Sequence, residues 1–274
     1  MRSPLLLTAA VGVSAMGCAV GAPDNIPDAE AGSTNATAIV VVERTSGPGD
    51  VASRDAVIAR FVRVRQGAVD DAALRIAGVA QDLPALGTCS VPTAPAVQPR
   101  NVELLDVGPV SVDGAQGKTT VLLPRVMPDP AGVVSGVVYS SRAPEAFAPG
   151  NKLSLRANGG PDLLDGFSVS VKAPREVSDL KVLSQPLGLD ITWDAADADA
   201  RDTVYLDVLA PAPRVVVRCA ATDVGRFVVP HTAIGAFEEG QIAVHRVRRE
   251  AFRSKGIEPG EVRFDIARVV AFRR

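Results

Sequence analysis

The chain of 274 residues carries a formal net charge of −2, with 29 lysines and arginines against 31 aspartates and glutamates. That near-balance argues against nucleic acid, whose binding proteins display a strong basic surplus. With three cysteines, two histidines and no Cys-x-x-Cys or mixed Cys/His spacing, a zinc centre is not expected either.

The first element is a leader. Met1 and Arg2 give a short positive start, and Leu5 to Met16 runs without a charge. That run has the length of a signal-peptide core and falls short of the roughly 20 residues that span a bilayer. No later stretch is apolar for long enough to span, so the chain is expected to be exported rather than embedded. Two processing routes are open. Ala15-Met16-Gly17-Cys18 resembles the lipobox of bacterial lipoproteins, although that family more often has Leu where Ala15 stands and a smaller residue than Met16. The resemblance implies cleavage after residue 17 and lipidation of Cys18. Alternatively, Val20-Gly21-Ala22 serves an ordinary signal peptidase and Cys18 leaves with the leader. The next stretch favours lipidation. "APDNIPDAEAGSTNATA" (22–38) is small, polar and rich in Pro, Gly and Ser, as a flexible tether over 18–36 would be. Ala19 is not the Asp that marks inner-membrane retention among lipoproteins, so the same resemblance implies the outer membrane, on its periplasmic or surface face.

From residue 37 the pattern becomes short Val-, Ile-, Leu- and Thr-rich runs broken by Gly, Pro, Asp or Asn. They are "TAIVVVE" (37–43), "VIARFVRVR" (57–65), "VGPVSVDG" (107–114), "KTTVLLP" (118–124), "GVVSGVVYSS" (132–141), "NKLSLRANGG" (151–160) and "GFSVSVKAP" (166–174). "LGLDITWD" (187–194), "DTVYLDVLAP" (202–211), "RVVVRCA" (214–220), "GRFVVP" (225–230), "GQIAVHRVRR" (240–249) and "VRFDIARVVAF" (262–272) follow. Strict alternation, as in Phe167-Ser168-Val169-Ser170-Val171, puts the apolar residues on one face at period two. Such strands predict an all-β antiparallel sandwich, here as two packed units over 37–176 and 177–274. Helical turns are expected only in "RDAVIARF" (54–61), "DDAALRIAGVAQDLPAL" (70–86) and "PHTAIGAF" (230–237).

"LDITWD" around Trp193, then "VRC" and a Gly-x-Phe-x-Val-Pro run, resembles an immunoglobulin-like or fibronectin-type sandwich, in which a lone Trp fills the space between the sheets. With "FAPGNKLSLRANGG" (147–160) and "VRCAATDVGRFVVPHTAI" (217–234), the chain resembles uncharacterised secreted lipoproteins of the myxobacteria type. That family has no assigned activity, so the resemblance implies place and fold but no chemistry.

Candidate sites are few. If Cys18 carries lipid, Cys89 and Cys219 remain as an even pair in an oxidising compartment, and a disulfide is expected; two buried thiols are the alternative. Asp194, Asp197, Asp199 and Asp202 offer a weak calcium loop, without an EF-hand spacing or its glycine and with Arg201 among them. A solvated hairpin loop is the preferred reading. No metal or other cofactor is expected. His231 and His245 lack a nucleophile elbow, and no catalytic residue is assigned. A hydrolase of envelope polymers would need Asp162 and Asp165 to converge with the Asp194–Asp202 loop. Between His245 and Arg274 basic residues outnumber acidic ones nine to four, as a guard against edge pairing or a face for anionic headgroups or wall polymer. The resulting expectation is a non-catalytic envelope lipoprotein that meets a membrane through its lipid, with a polymer or protein partner. The rival is a released adhesin that binds a polymer.

Overall fold

The computed structural model describes residues 36–47, 54–65, 67–93, 101–114, 117–127, 134–142, 148–195, 199–210, 214–235 and 237–274. All of them belong to one compact unit. Cys18 and Asp197 lie outside the described residues.

In chain order the first half comprises β1 (Ala36–Ser46), β2 (Arg54–Val64), α1 (Asp71–Ile76), β3 (Cys89–Ser90), β4 (Val102–Leu104), β5 (Val110–Asp113), β6 (Thr119–Met127), β7 (Val134–Ser141), β8 (Lys152–Ala157) and β9 (Phe167–Lys172). The second half comprises β10 (Lys181–Gln185), β11 (Gly188–Thr192), β12 (Asp202–Leu209), β13 (Val215–Thr222), β14 (Arg226–Pro230), α2 (His231–Ile234), β15 (Glu239–Ser254) and β16 (Ile257–Arg273). The molecule is all-β. One sheet runs β3-β13-β12-β15-β16-β1-β2-β4-β7-β6-β5-β8-β9, and a small one runs β10-β11-β14; neither closes into a barrel.

Two expectations need correction. The large sheet is mixed rather than antiparallel, because β1 pairs in parallel with β16 and β4 with β7. Alternation reports which residues share a face and carries no information on the direction of the neighbouring strand. "RDAVIARF" is strand β2 rather than a helix: Asp55, Val57, Ala59 and Phe61 are buried at period two. Of 70–86 only α1 is helical, started by the Asp70 side chain, which accepts from the Ala73 amide at 3.0 Å.

The large sheet presents two different faces. On one, Val40, Val42, Phe61, Val262 and Phe264 pack against Val110, Val112, Leu153 and Leu155, because β6 pairs with β5 in its first half and β7 in its second and so folds the far strands back over β1, β2 and β16. Further along the same face, Leu206, Val208, Val217 and Val244 meet Leu189, Ile191 and Val229 of the small sheet, and Trp193 sits in that core, 5% exposed. The change of core falls near the boundary expected at 176/177, but the strands cross it: β16 places Phe264 in the first core and Phe272 in the second.

Three arginines line the seam between the two cores. Arg44 grips Asp55 at 2.8 and 2.7 Å and reaches Glu176 at 2.8 Å. Arg246 donates to Asp223 at 2.6 Å and to the carbonyls of Arg175, Glu176 and Asp194, while Arg248 holds Asp202 at 2.6 and 2.8 Å. Buried charges persist only where partners satisfy them, and each of these guanidiniums is satisfied. Of the basic C-terminal run, Arg246, Arg248 and Arg263 are buried, whereas Arg249, Arg253, Lys255, Arg273 and Arg274 are exposed. The run does not guard an edge, since β15 and β16 are interior strands.

Candidate functional site

The opposite face of the large sheet carries its polar chemistry. Alternation points Tyr205 and Asp207 of β12, His245 of β15, Asp265 of β16 and Arg218 of β13 to this side. The strand order β13-β12-β15-β16 sets them next to one another. Tyr205 lies directly opposite His245, and their rings stack with centroids 4.1 Å apart. The Tyr205 hydroxyl donates to Asp265 Oδ2 at 2.6 Å, and His245 Nδ1 meets Oδ1 of the same carboxylate at 2.7 Å. An ionised Asp265 only accepts, so it sets the proton on Nδ1 and leaves Nε2 facing Asp207 Oδ2 at 4.0 Å. Arg218 closes the set: it binds Asp207 through two nitrogens at 2.8 and 2.7 Å and lies 4.9 Å from the centre of the Tyr205 ring.

Burial alone would raise the Asp265 carboxyl, but His245, Tyr205 and Arg218 outweigh it and hold it below the usual carboxylate range. Burial, followed by the Asp265 charge, pushes the Tyr205 phenol well above its ordinary value. The cluster keeps some contact with solvent, with 22% of the Arg218, 17% of the His245 and 16% of the Asp265 side-chain surface exposed. The imidazole can hold or pass a proton at Nε2. Its hydrogen-bonding and stacking neighbours are Asp265, Asp207 and Tyr205, with no serine, threonine or cysteine hydroxyl or thiol on Nε2 among the described residues.

An irregular strap crosses the same face between α1 and β3. Four arginines from four strands hold it: Arg60 bonds the Gly78 carbonyl at 2.9 Å, Arg263 the Val79 carbonyl at 2.7 Å, Arg249 the Gln81 side chain at 2.9 Å and Arg218 the Asp82 carbonyl at 3.3 Å. Beyond it, β3 adds to the outer edge of β13, and Cys89 is bonded to Cys219 directly opposite. Closing a separation of 130 residues stabilises by about 4–5 kcal/mol in the chain-entropy account.

The remaining sequence candidates do not come together. Arg201 holds Asp199 at 2.7 Å, Arg248 takes both oxygens of Asp202, and Ser178 lies 3.4 Å from Asp194. Guanidinium partners thus occupy Asp199 and Asp202 of the weak calcium candidate, and no cluster of three metal-binding side chains exists among the described residues. Asp162 accepts from the Asp106 amide and Asp165 pairs with Lys255, so each of these two hydrolase candidates has its own partner. His231 lies between the Gln185 carbonyl and Arg274. Sequence reading passed over Tyr205, Asp207, Arg218 and Asp265. The available signal was that "GQIAVHRVRR" and "VRFDIARVVAF" make a hairpin in which His245 opposes Ala267 and comes within reach of Asp265 on the same face.

No protein-family model matches the chain, and no curated protein matches it.

Proposed function

We propose that the chain is a bacterial envelope lipoprotein, anchored in the outer membrane through a lipid on Cys18, whose β-rich body has a non-catalytic binding or structural role. The observation that carries this reading is the charge-free run Leu5–Met16 ending on Ala15-Met16-Gly17-Cys18, followed by a polar tether. The Cys89–Cys219 bond supports it, since disulfides persist in oxidising compartments such as the bacterial periplasm and cell surface. A diacyl or triacyl anchor adds roughly 0.8 kcal/mol of membrane affinity per buried methylene, enough for firm attachment. The non-catalytic part rests on His245, which stacks on Tyr205 between two aspartates and, among the described residues, makes no contact with a nucleophile. Residues 177–274 are read as immunoglobulin-like, supported by Trp193 packed between the facing sheets.

Membrane fractionation tests the reading. The wild-type chain is expected in the outer-membrane fraction and a Cys18→Ser chain in the soluble fraction. Equal distribution of the two would overturn it and move the released adhesin ahead.

A further inference from the structure

We propose that the segment from Gln81 to Thr93 is a redox-latched strap. While Cys89 and Cys219 are bonded it stays across the Tyr205–His245 face. Once a small dithiol reduces that bond, it lifts away from a hinge at Val79 and uncovers both that face and the outer edge of β13.

The division between hinge and strap is written in burial. Val79 is 3% exposed, and its carbonyl takes a buried 2.7 Å bond from Arg263. From residue 81 to residue 93 no position is buried, and Leu86 and Val91 are 62% and 65% exposed. Apart from Cys89, partly buried against the second core, no apolar side chain of the strap is packed into a core. Its non-covalent ties include the exposed bonds from Arg249 and Arg218, the Arg75–Asp82 ion pair, and backbone bonds between Gly87, Thr88 and Ala220. Exposed hydrogen bonds and ion pairs are individually weak, and segments fixed only by them open at low free-energy cost. The covalent bond is what joins this weakly held stretch to the core.

The core does not need the strap in return. β13 pairs with β12 along its length, Thr222 opposite Thr203 and Val215 opposite Leu209. Cys219 is fully buried and stays in the second core, whereas Cys89 is half-buried and open to attack. A thiolate of the dithiol attacks Cys89 Sγ and breaks the Sγ–Sγ bond, and Cys219 leaves as a thiolate that takes a proton. The second thiol of the reagent then displaces Cys89 and closes its own disulfide. Two electrons pass, leaving two protein thiols and one oxidised reagent. Removing β3 also strips the strand that pairs with Arg218 and Cys219 on the outer edge of β13, where no other strand pairs among the described residues, and lengthens a ready template for strand pairing.

Hydrogen exchange on the full chain tests this, comparing the oxidised protein, the protein reduced by a dithiol, and a Cys89→Ser variant. Peptides covering 81–93 are expected to exchange at least about tenfold faster in both reduced forms, with β11, β12 and β15 unchanged, a loss of protection confined to one segment. In the same samples an alkaline absorbance titration should show Tyr205 ionising at lower pH in the reduced forms, because burial, the largest cause of its raised value, is relieved while Asp265 stays in place. Equal strap exchange in all three forms would show that the arginine clamps suffice and overturn the proposal. Loss of protection in β12 and β15 together with the strap would make the bond a structural staple instead, and failure of the dithiol to liberate the two thiols from the folded protein would also contradict it.

Discussion

Both tyrosines of the chain, Tyr139 and Tyr205, are buried and hydrogen-bonded to a carboxylate. Burial first and then the neighbouring aspartate (Asp106 for Tyr139, Asp265 for Tyr205) raise both phenols above their ordinary value. A phenol whose folded value exceeds its unfolded one contributes stability that is complete below about pH 10 and is lost as pH climbs toward the folded value. Absorbance near 295 nm should therefore show no tyrosine step around pH 10 in the oxidised protein, and both tyrosines should ionise together as the chain unfolds. In denaturant both should titrate near pH 10. A step of half the full amplitude in the folded protein would mean that one phenol lacks the environment described.

At the scale of elements, the seam arginines decide how the two cores are joined. Arg246 and Asp223 each keep 3% of their side-chain surface exposed, and Asp223 also accepts from Trp193 Nε1 at 2.7 Å. Removing one member of a buried pair leaves the other charge without compensation, which typically costs about 3–5 kcal/mol. Asp223→Ala is expected to destabilise by that amount in urea unfolding followed by circular dichroism. A change under about 1 kcal/mol would show the pair to be dispensable. This scale also shows what a sequence reader can see. The burial of Trp193 was legible because "LDIT" alternates and leads straight into it, and most strands announced themselves through period-two apolar runs. The roles of Arg246 and Arg248 were not, because their partners lie up to 76 residues away and no local spacing encodes them. Their apparent fit to an edge guard or lipid face came from composition alone. Tyr205 and Asp207 were illegible for the same reason, since they join the His245–Asp265 pair of the C-terminal hairpin only once β12 is ordered beside β15.

At the scale of the molecule, the first described strand and the last pair in parallel across the middle of the large sheet. One side of that sheet is closed by its own far strands and by the small sheet; the other carries α1, the strap and the polar cluster. A pairing between strands so far apart in the chain is a costly closure, for which the covalent bond between Cys89 and Cys219 offers partial compensation through the unfolded state. The proposed lipid on Cys18 would tether this body outside the cytoplasm. The most direct test of that tether is the intact mass of the protein purified from its own membranes. The expected chain begins at Cys18, carries a lipid-sized increment, and is two hydrogens lighter than the fully reduced form. An unmodified chain beginning at Pro23 would contradict it.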